Sequence, residues 1–234
     1  DGNPETLELS DPYNLWYGAS SVSDDNGDLL YYLYLKFNSS SEKANIKSLQ
    51  GNIKNGDNIA SDLSLSYSGL FIQDISNPDL YYLITAPDAT ISETNEGVYY
   101  SVIDRTKNDG KGEVILKNKL LYPNATLKIT SVMNEVDNIC WVITHEWNSD
   151  AFKIIRIDEN GLDENIITQK IGMDHIKSTK VGSQGRFSMS PNGTTLASTL
   201  PVTNPLYDGD LELFDFDPKT GILSNQRNLK LEEN

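Results

Sequence analysis

Cysteine is nearly absent. Cys140 stands alone in 234 residues, so no disulfide can close within the chain. It lies in the apolar run Ile139-Cys-Trp-Val-Ile143, where a lone thiol behaves as a small buried hydrophobe. Histidine is almost as scarce: His145 and His175 are the two present, and no Cys/His cluster of zinc-site spacing exists. Cations are short too. Lys and Arg number 19 against 34 Asp and Glu, a formal charge of −15. That field repels phosphate backbones and anionic lipid, which argues against nucleic-acid binding and against docking on a membrane surface. No run approaches the roughly 18 apolar residues that cross a bilayer. No window shows sustained 3.6-residue periodicity with caps, so little or no helix is expected. The chain opens Asp1-Gly-Asn-Pro, without an initiator methionine or a signal-peptide pattern, which fits a processed secreted chain.

What is present is strand and turn. Pro191-Asn192-Gly193 is flanked by two strand-like runs, and Asn-Gly between β-formers is a strong hairpin signal. Asp217-Pro218-Lys219-Thr220-Gly221 is flanked by two more, with Pro setting φ early in the turn and Gly free to take φ > 0 late in it. Hairpin, connector and hairpin make one antiparallel four-stranded sheet, Gly185 to Leu231, about the size of a propeller blade. The same unit recurs upstream. Ala19–Ser23 and Leu29–Phe37 flank Asp24–Asp28, and Leu70–Ile72 and Leu80–Thr85 flank Ser76–Asp79. Val98–Asp104 and Glu113–Leu116 flank Asn108–Gly112. Lys128–Met133 pairs with Ile139–Thr144, and Phe152–Ile157 with Ile166–Thr168. Strands 139–143 and 152–157 are apolar on both alternating faces, so their sheet must be stacked between neighbours.

The expected fold is therefore all-β and propeller-type, with four four-stranded antiparallel blades at roughly 15–66, 67–121, 126–172 and 185–231. Residues 1–14 form an extended lead-in to a domain spanning 15–234, and residues 38–66 are an irregular hairpin or a loop. Trp141 is expected between blades.

Several blocks, in fixed order, carry a family resemblance. They are Val22–Tyr32, Asn77–Ile84, Gly97–Asp104 with Gly112–Leu121, Trp141–Phe152, Phe187–Gly193 and Leu211–Ser224. Together they resemble the amino-terminal WD40-like propeller of gliding-motility-associated surface proteins, which are exported by the type IX secretion system. The resemblance implies a secreted or cell-surface, non-enzymatic propeller at the front of a longer protein, on the outer face of the outer membrane. It lends no catalytic residues. The chain departs from the pattern after Trp16-Tyr17, where a segment is missing, and at Asn234, where the family continues with more blades. The four blades are thus expected to belong to a larger ring, completed by further residues of the protein or by a partner. The last blade's outer face, with part of the Leu211–Phe216 set, would then lack a neighbour.

Asp24, Asn26 and Asp28 place oxygen ligands at alternate positions beside Gly27, as Ca²⁺ requires, but the glycine is misplaced for an EF-hand and no glutamate closes the loop. An acidic hairpin turn is the favoured reading, and a loosely held Ca²⁺ is the most the turn implies. Asp158–Asp163 and Asp208-Gly-Asp210 carry the same ambiguity. His145, with Glu146 and Asp150, has the residue types of acid–base chemistry, and His175 could meet it near a propeller axis. No nucleophile or oxyanion motif accompanies them, so the favoured role for His145 is ordering a loop by bonding to backbone, with Trp147 packed between blades. Tyr31-Tyr32, Tyr81-Tyr82 and Tyr99-Tyr100 are expected to pack one ring and expose the other.

These features favour a non-catalytic surface module for recognition or adhesion, with no cofactor and with a protein partner, export machinery or surface glycan as its ligand. A secreted propeller enzyme acting on glycans is the alternative. A subunit of an outer-membrane assembly is the third reading.

Overall fold

The computed structural model describes residues 20–36, 43–61, 69–86, 97–175, 185–200 and 211–229. They form an all-β structure of four antiparallel sheets in chain order. The first sheet holds β1 (Ser20–Ser23), β2 (Leu29–Lys36), β3 (Lys43–Ser48) and β4 (Gly51–Asn52). The second holds β5 (Leu70–Gln73), β6 (Leu80–Thr85), β7 (Gly97–Asp104) and β8 (Glu113–Pro123). The third holds β9 (Ala125–Asn134), β10 (Ile139–Glu146) and β11 (Ala151–Asp158). Its outer position is shared by two short pieces, β12 (Gly161–Leu162) and β13 (Ile167–Lys170), both paired with β11. The fourth holds β14 (Phe187–Met189), β15 (Thr195–Thr199), β16 (Leu211–Asp217) and β17 (Ile222–Leu229).

Each sheet is a simple meander, so its first and third turns share one end. Six of those eight turns repeat one device. An Asp or Asn side-chain oxygen accepts the backbone N–H two residues on: Asp24 from Asn26, Asp74 from Ser76, Asp104 from Thr106, Asn134 from Val136, Asp158 from Asn160 and Asp217 from Lys219. This Asx geometry reverses the chain without help from outside it. It also explains where many of the acidic residues are used.

The sheets stack face to face in sequence, first strand against first strand: β1 on β5, β5 on β9, β9 on β14. Among the described residues no comparable packing joins the fourth sheet to the first. Three apolar clusters fill the three seams. Leu33, Ile46, Tyr81, Leu83 and Ile103 lie in the first. Tyr82, Val98, Tyr122, Cys140, Val142 and Ile155 lie in the second. Trp141, Ile143, Phe152, Phe187, Phe214 and Phe216 lie in the third.

Period-2 alternation decides which seam a residue enters. On β10, Ile139, Trp141 and Ile143 face the fourth sheet while Cys140 and Val142 face the second. Trp141 is buried, and its indole N–H donates to Pro218 O in the β16–β17 turn at 2.7 Å. Cys140 is buried as well, and desolvation pushes its thiol pKa up to about 12. Tyr81 and Tyr82 enter opposite seams, so both rings are buried rather than one exposed. Tyr82 Oη donates to Asp74 Oδ2 at 2.6 Å and accepts Leu162 N–H at 3.2 Å, tying the second sheet to the third.

One expectation changes and two become specific. Of the two readings of residues 38–66, the described part is a hairpin: Lys43–Ser48 pairs with Gly51–Asn52, with Ala44 and Ile46 inward and Lys47 Nζ lying 4.6 Å from the centre of the Tyr34 ring. His145 lies inside β10, not in a loop. The Leu211–Phe216 set divides by face: Glu212, Phe214 and Phe216 are buried, while Leu211 and Leu213 are half-buried on the other side. Trp16 and Tyr17 lie outside the described residues.

Candidate functional site

At the end of the third seam opposite the tight turns, four titratable side chains converge. His145 closes the inward row of β10. Lys128 comes from β9, Glu212 from β16, and His175 from the segment after β13. His175 is held by main chain on both sides: its N–H donates to Ser149 O at 2.9 Å and its carbonyl accepts from Asn148 N at 2.8 Å. All four are sealed from solvent, with exposures of 0% for His145 and Glu212, 1% for Lys128 and 2% for His175.

The two imidazoles stack with ring centres 3.5 Å apart and planes 14° from parallel. Phe152 meets His145 edge-on at 4.6 Å. His145 Nδ1 lies 2.7 Å from Glu146 O, so Nδ1 carries the proton and donates. Its Nε2 has no hydrogen-bond partner among the described residues. Lys128 Nζ donates to His175 Nδ1 at 3.3 Å, which places the His175 proton on Nε2. That nitrogen faces Glu212 Oε2 at 3.7 Å, beyond hydrogen-bond length. Glu212 Oε1 is held by Met173 N–H at 2.9 Å and Gln226 Nε2 at 2.8 Å.

Two glycines let the chain pass over this cluster. A Cβ at Gly185 would fall 2.8 Å from Lys128 Cε, and one at Gly172 would fall 2.9 Å from Glu212 Oε1. Burial pushes Lys128 down to about 7, against the attraction of Glu212. Burial and then the Lys128 charge hold His145 down to about 3. His175 is driven well below its ordinary range by burial, by His145 and by Lys128. Both imidazoles are therefore neutral at pH 7, and His175 lies between the Lys128 amine of the third sheet and the Glu212 carboxylate of the fourth.

The residues singled out by sequence do not assemble as a catalytic group. Glu146 turns its carboxylate to Lys153 Nζ at 3.2 Å, and Asp150 lies 4.0 Å from Lys170 Nζ. His145 takes only the backbone carbonyl of Glu146. The meeting of His145 with His175 does occur. Lys128 and Glu212 were missed, although each is a charged residue set among inward apolar ones: Leu127-Lys-Ile129, and Glu212 in register with Phe214 and Phe216. In the acidic turn Asp24–Asp28, Asp24 Oδ1 accepts from Asn26 N at 2.9 Å and Asp28 N at 3.0 Å. Asp163 is likewise taken by Asn165 N. No group of three or more His, Cys, Asp or Glu placed to hold a metal occurs among the described residues. Asp208 and Asp210 lie outside them.

No family model matches the chain, and no curated protein matches it. Solved structures resemble it at low levels. An exo-β-1,3-galactanase from Phanerochaete chrysosporium aligns at 12% identity and TM-score 0.44, over 91% of this chain and 49% of that one. The catalytic domain of an α-L-arabinofuranosidase from Coprinopsis cinerea aligns at 10% identity and TM-score 0.44, over 88% and 67%. Hydrazine synthase from Kuenenia stuttgartiensis aligns at 12% identity and TM-score 0.46, over 97% and 53%. The chain spans about half the length of the first of these. Likeness at this level carries no argument about chemistry.

Proposed function

We propose that the chain is an exported, non-catalytic, propeller-type module that recognises a surface ligand, and that its buried titratable cluster is a structural joint between two blades. The observation that carries this reading is the sealing of the cluster: Lys128, His145, His175 and Glu212 are each at most 2% exposed, and each touches another member of the cluster or nearby main chain. General acid–base chemistry needs a group within hydrogen-bond reach of a substrate. Glycoside hydrolysis needs two carboxylates flanking an open bond, and here one buried carboxylate sits with a lysine and two histidines. The resemblance of the sequence blocks to surface propellers supports export, and the charge of −15 suits a chain that works in solvent rather than on nucleic acid or anionic lipid. In this reading the four sheets are consecutive blades, and a partner or further chain completes the ring.

The test sets wild type and Glu212→Gln on a panel of surface polysaccharides and aryl glycosides, with binding and product release read side by side. Retention of one or more glycans, or of a protein ligand, without product is expected. Turnover of any glycan that Glu212→Gln abolishes would overturn the proposal in favour of a glycan-acting enzyme.

A further inference from the structure

The stacked histidines occupy a position that tolerates no additional proton. The basic nitrogen left on His145 is Nε2, which is buried and has no acceptor among the described residues. The basic nitrogen left on His175 is Nδ1, which already accepts from Lys128. A proton there would set two donors face to face at 3.3 Å. The stacking distance of 3.5 Å also brings any imidazolium directly onto its neighbour. The charged groups facing the pair, among the described residues, are Lys128 from β9 and Glu212 from β16. The elements β11, β14 and β15 contribute Phe152, Phe187 and Ser198, the last two in one register row with Glu212. One carboxylate cannot balance an ammonium and two imidazolium ions in a dry seam.

We propose that the joint between the third and fourth sheets is an acid-released latch: protonation of the His145–His175 stack parts this seam while the first two seams hold. The asymmetry comes from placement. The first and second seams contain no histidine, since the chain's two histidines are both in the third. The first seam is closed by apolar side chains and main-chain bonds such as Val114 N to Lys54 O at 2.9 Å. The depressed affinity of both rings for protons agrees with a latch that stays shut at neutral pH. Burying a base in its neutral form makes the buried state lose ground as protons become available.

Native-state hydrogen exchange with site resolution tests this on the whole chain. Among the donors that cross the third seam are Trp141 Nε1–H to Pro218 O and Leu223 N–H to Gln169 Oε1. Val114 N–H crosses the first and Leu162 N–H, bonded to Tyr82 Oη, the second. After correction for intrinsic exchange, protection at Trp141 and Leu223 should fall about tenfold or more between pH 7 and pH 5, with Val114 and Leu162 changing less than about twofold. The two histidines give separate ring signals in NMR, which should stay neutral in the closed protein and charge only where the Trp141 indole signal is lost as well. His145→Phe, which keeps a ring in the stack and removes a proton site, should hold Leu223 protection nearer its neutral value at pH 5. Three results would overturn the latch. One is equal loss of protection at all four donors. Another is ring titration near the ordinary histidine value with the Trp141 signal unmoved. The third is retained protection at Trp141 and Leu223 after both rings have charged. The ring titration and the wild-type donor ratios decide the matter even if His145→Phe does not fold.

Discussion

Replacing Trp141 by alanine removes the largest side chain in the third seam, and the structure sets the size of the effect. Truncating a buried tryptophan costs about 3–5 kcal/mol through lost transfer energy and the cavity left behind. Two details place this case in the upper half of that range. The ring lies against Gly221, where a Cβ would fall 2.7 Å from it, so backbone rather than a mobile side chain bounds the cavity. That backbone is fixed by Gly221 N to Asp217 O at 2.8 Å and Lys219 N to Asp217 Oδ1 at 3.0 Å, and cannot collapse inward. The lost indole hydrogen bond adds about 1 kcal/mol and no more, because Pro218 O keeps a second donor, Asn134 Nδ2, at 2.9 Å. The expected loss is about 4–5 kcal/mol in urea unfolding followed by far-UV circular dichroism at pH 7. A loss below about 1 kcal/mol would refute the claim that this ring is central to the packing of the third sheet on the fourth.

Gly221→Ala should destabilise by about 2 kcal/mol or more, because Gly221 has φ +73° and the new methyl meets a ring that cannot move aside; a neutral change would contradict that contact. Asp24→Ala should cost about 1 kcal/mol by leaving two turn N–H groups without their acceptor, and millimolar calcium should shift wild type and variant melting equally; a calcium-dependent rise lost in the variant would make the turn a metal site. Stability should fall on acidification. Unfolded histidine takes a proton near pH 6.5 and the buried rings do not, so the histidine contribution is full above that value and is lost as pH drops toward about 3. Two rings, at about 1.4 kcal/mol per pH unit each, amount to about 4 kcal/mol by pH 5, measured by urea titration at each pH.

The fold was legible where turn chemistry bracketed strong strands. Pro191-Asn-Gly193 and Asp217–Gly221 fixed the fourth sheet, and the two apolar faces of β10 foretold a sheet stacked on both sides. Lys43–Ser48 was legible only as a hairpin or a loop because two of its six residues are lysines. Burial of Lys47 beside the Tyr34 ring depends on a neighbour far from it in sequence. The site was half legible. His145 drew notice by residue type, and its meeting with His175 was read from converging loops although His145 stands in β10. Lys128 and Glu212 look like ordinary solvated charges until strand alternation is followed through Phe214 and Phe216 into the seam. The carboxylates that looked functional, Glu146 and Asp150, were closer to His145 in sequence than their side chains are in chemistry: lysines take them.

A structural joint of this kind requires that the cluster be closed to solutes. Because the chain has two histidines, modification by diethyl pyrocarbonate followed by mass spectrometry reports on the cluster alone among imidazoles. At pH 7 the native protein should leave both His145 and His175 unmodified, and both should react once urea has unfolded the chain. Rapid modification of either ring in the native protein would show an open site and contradict the sealed joint.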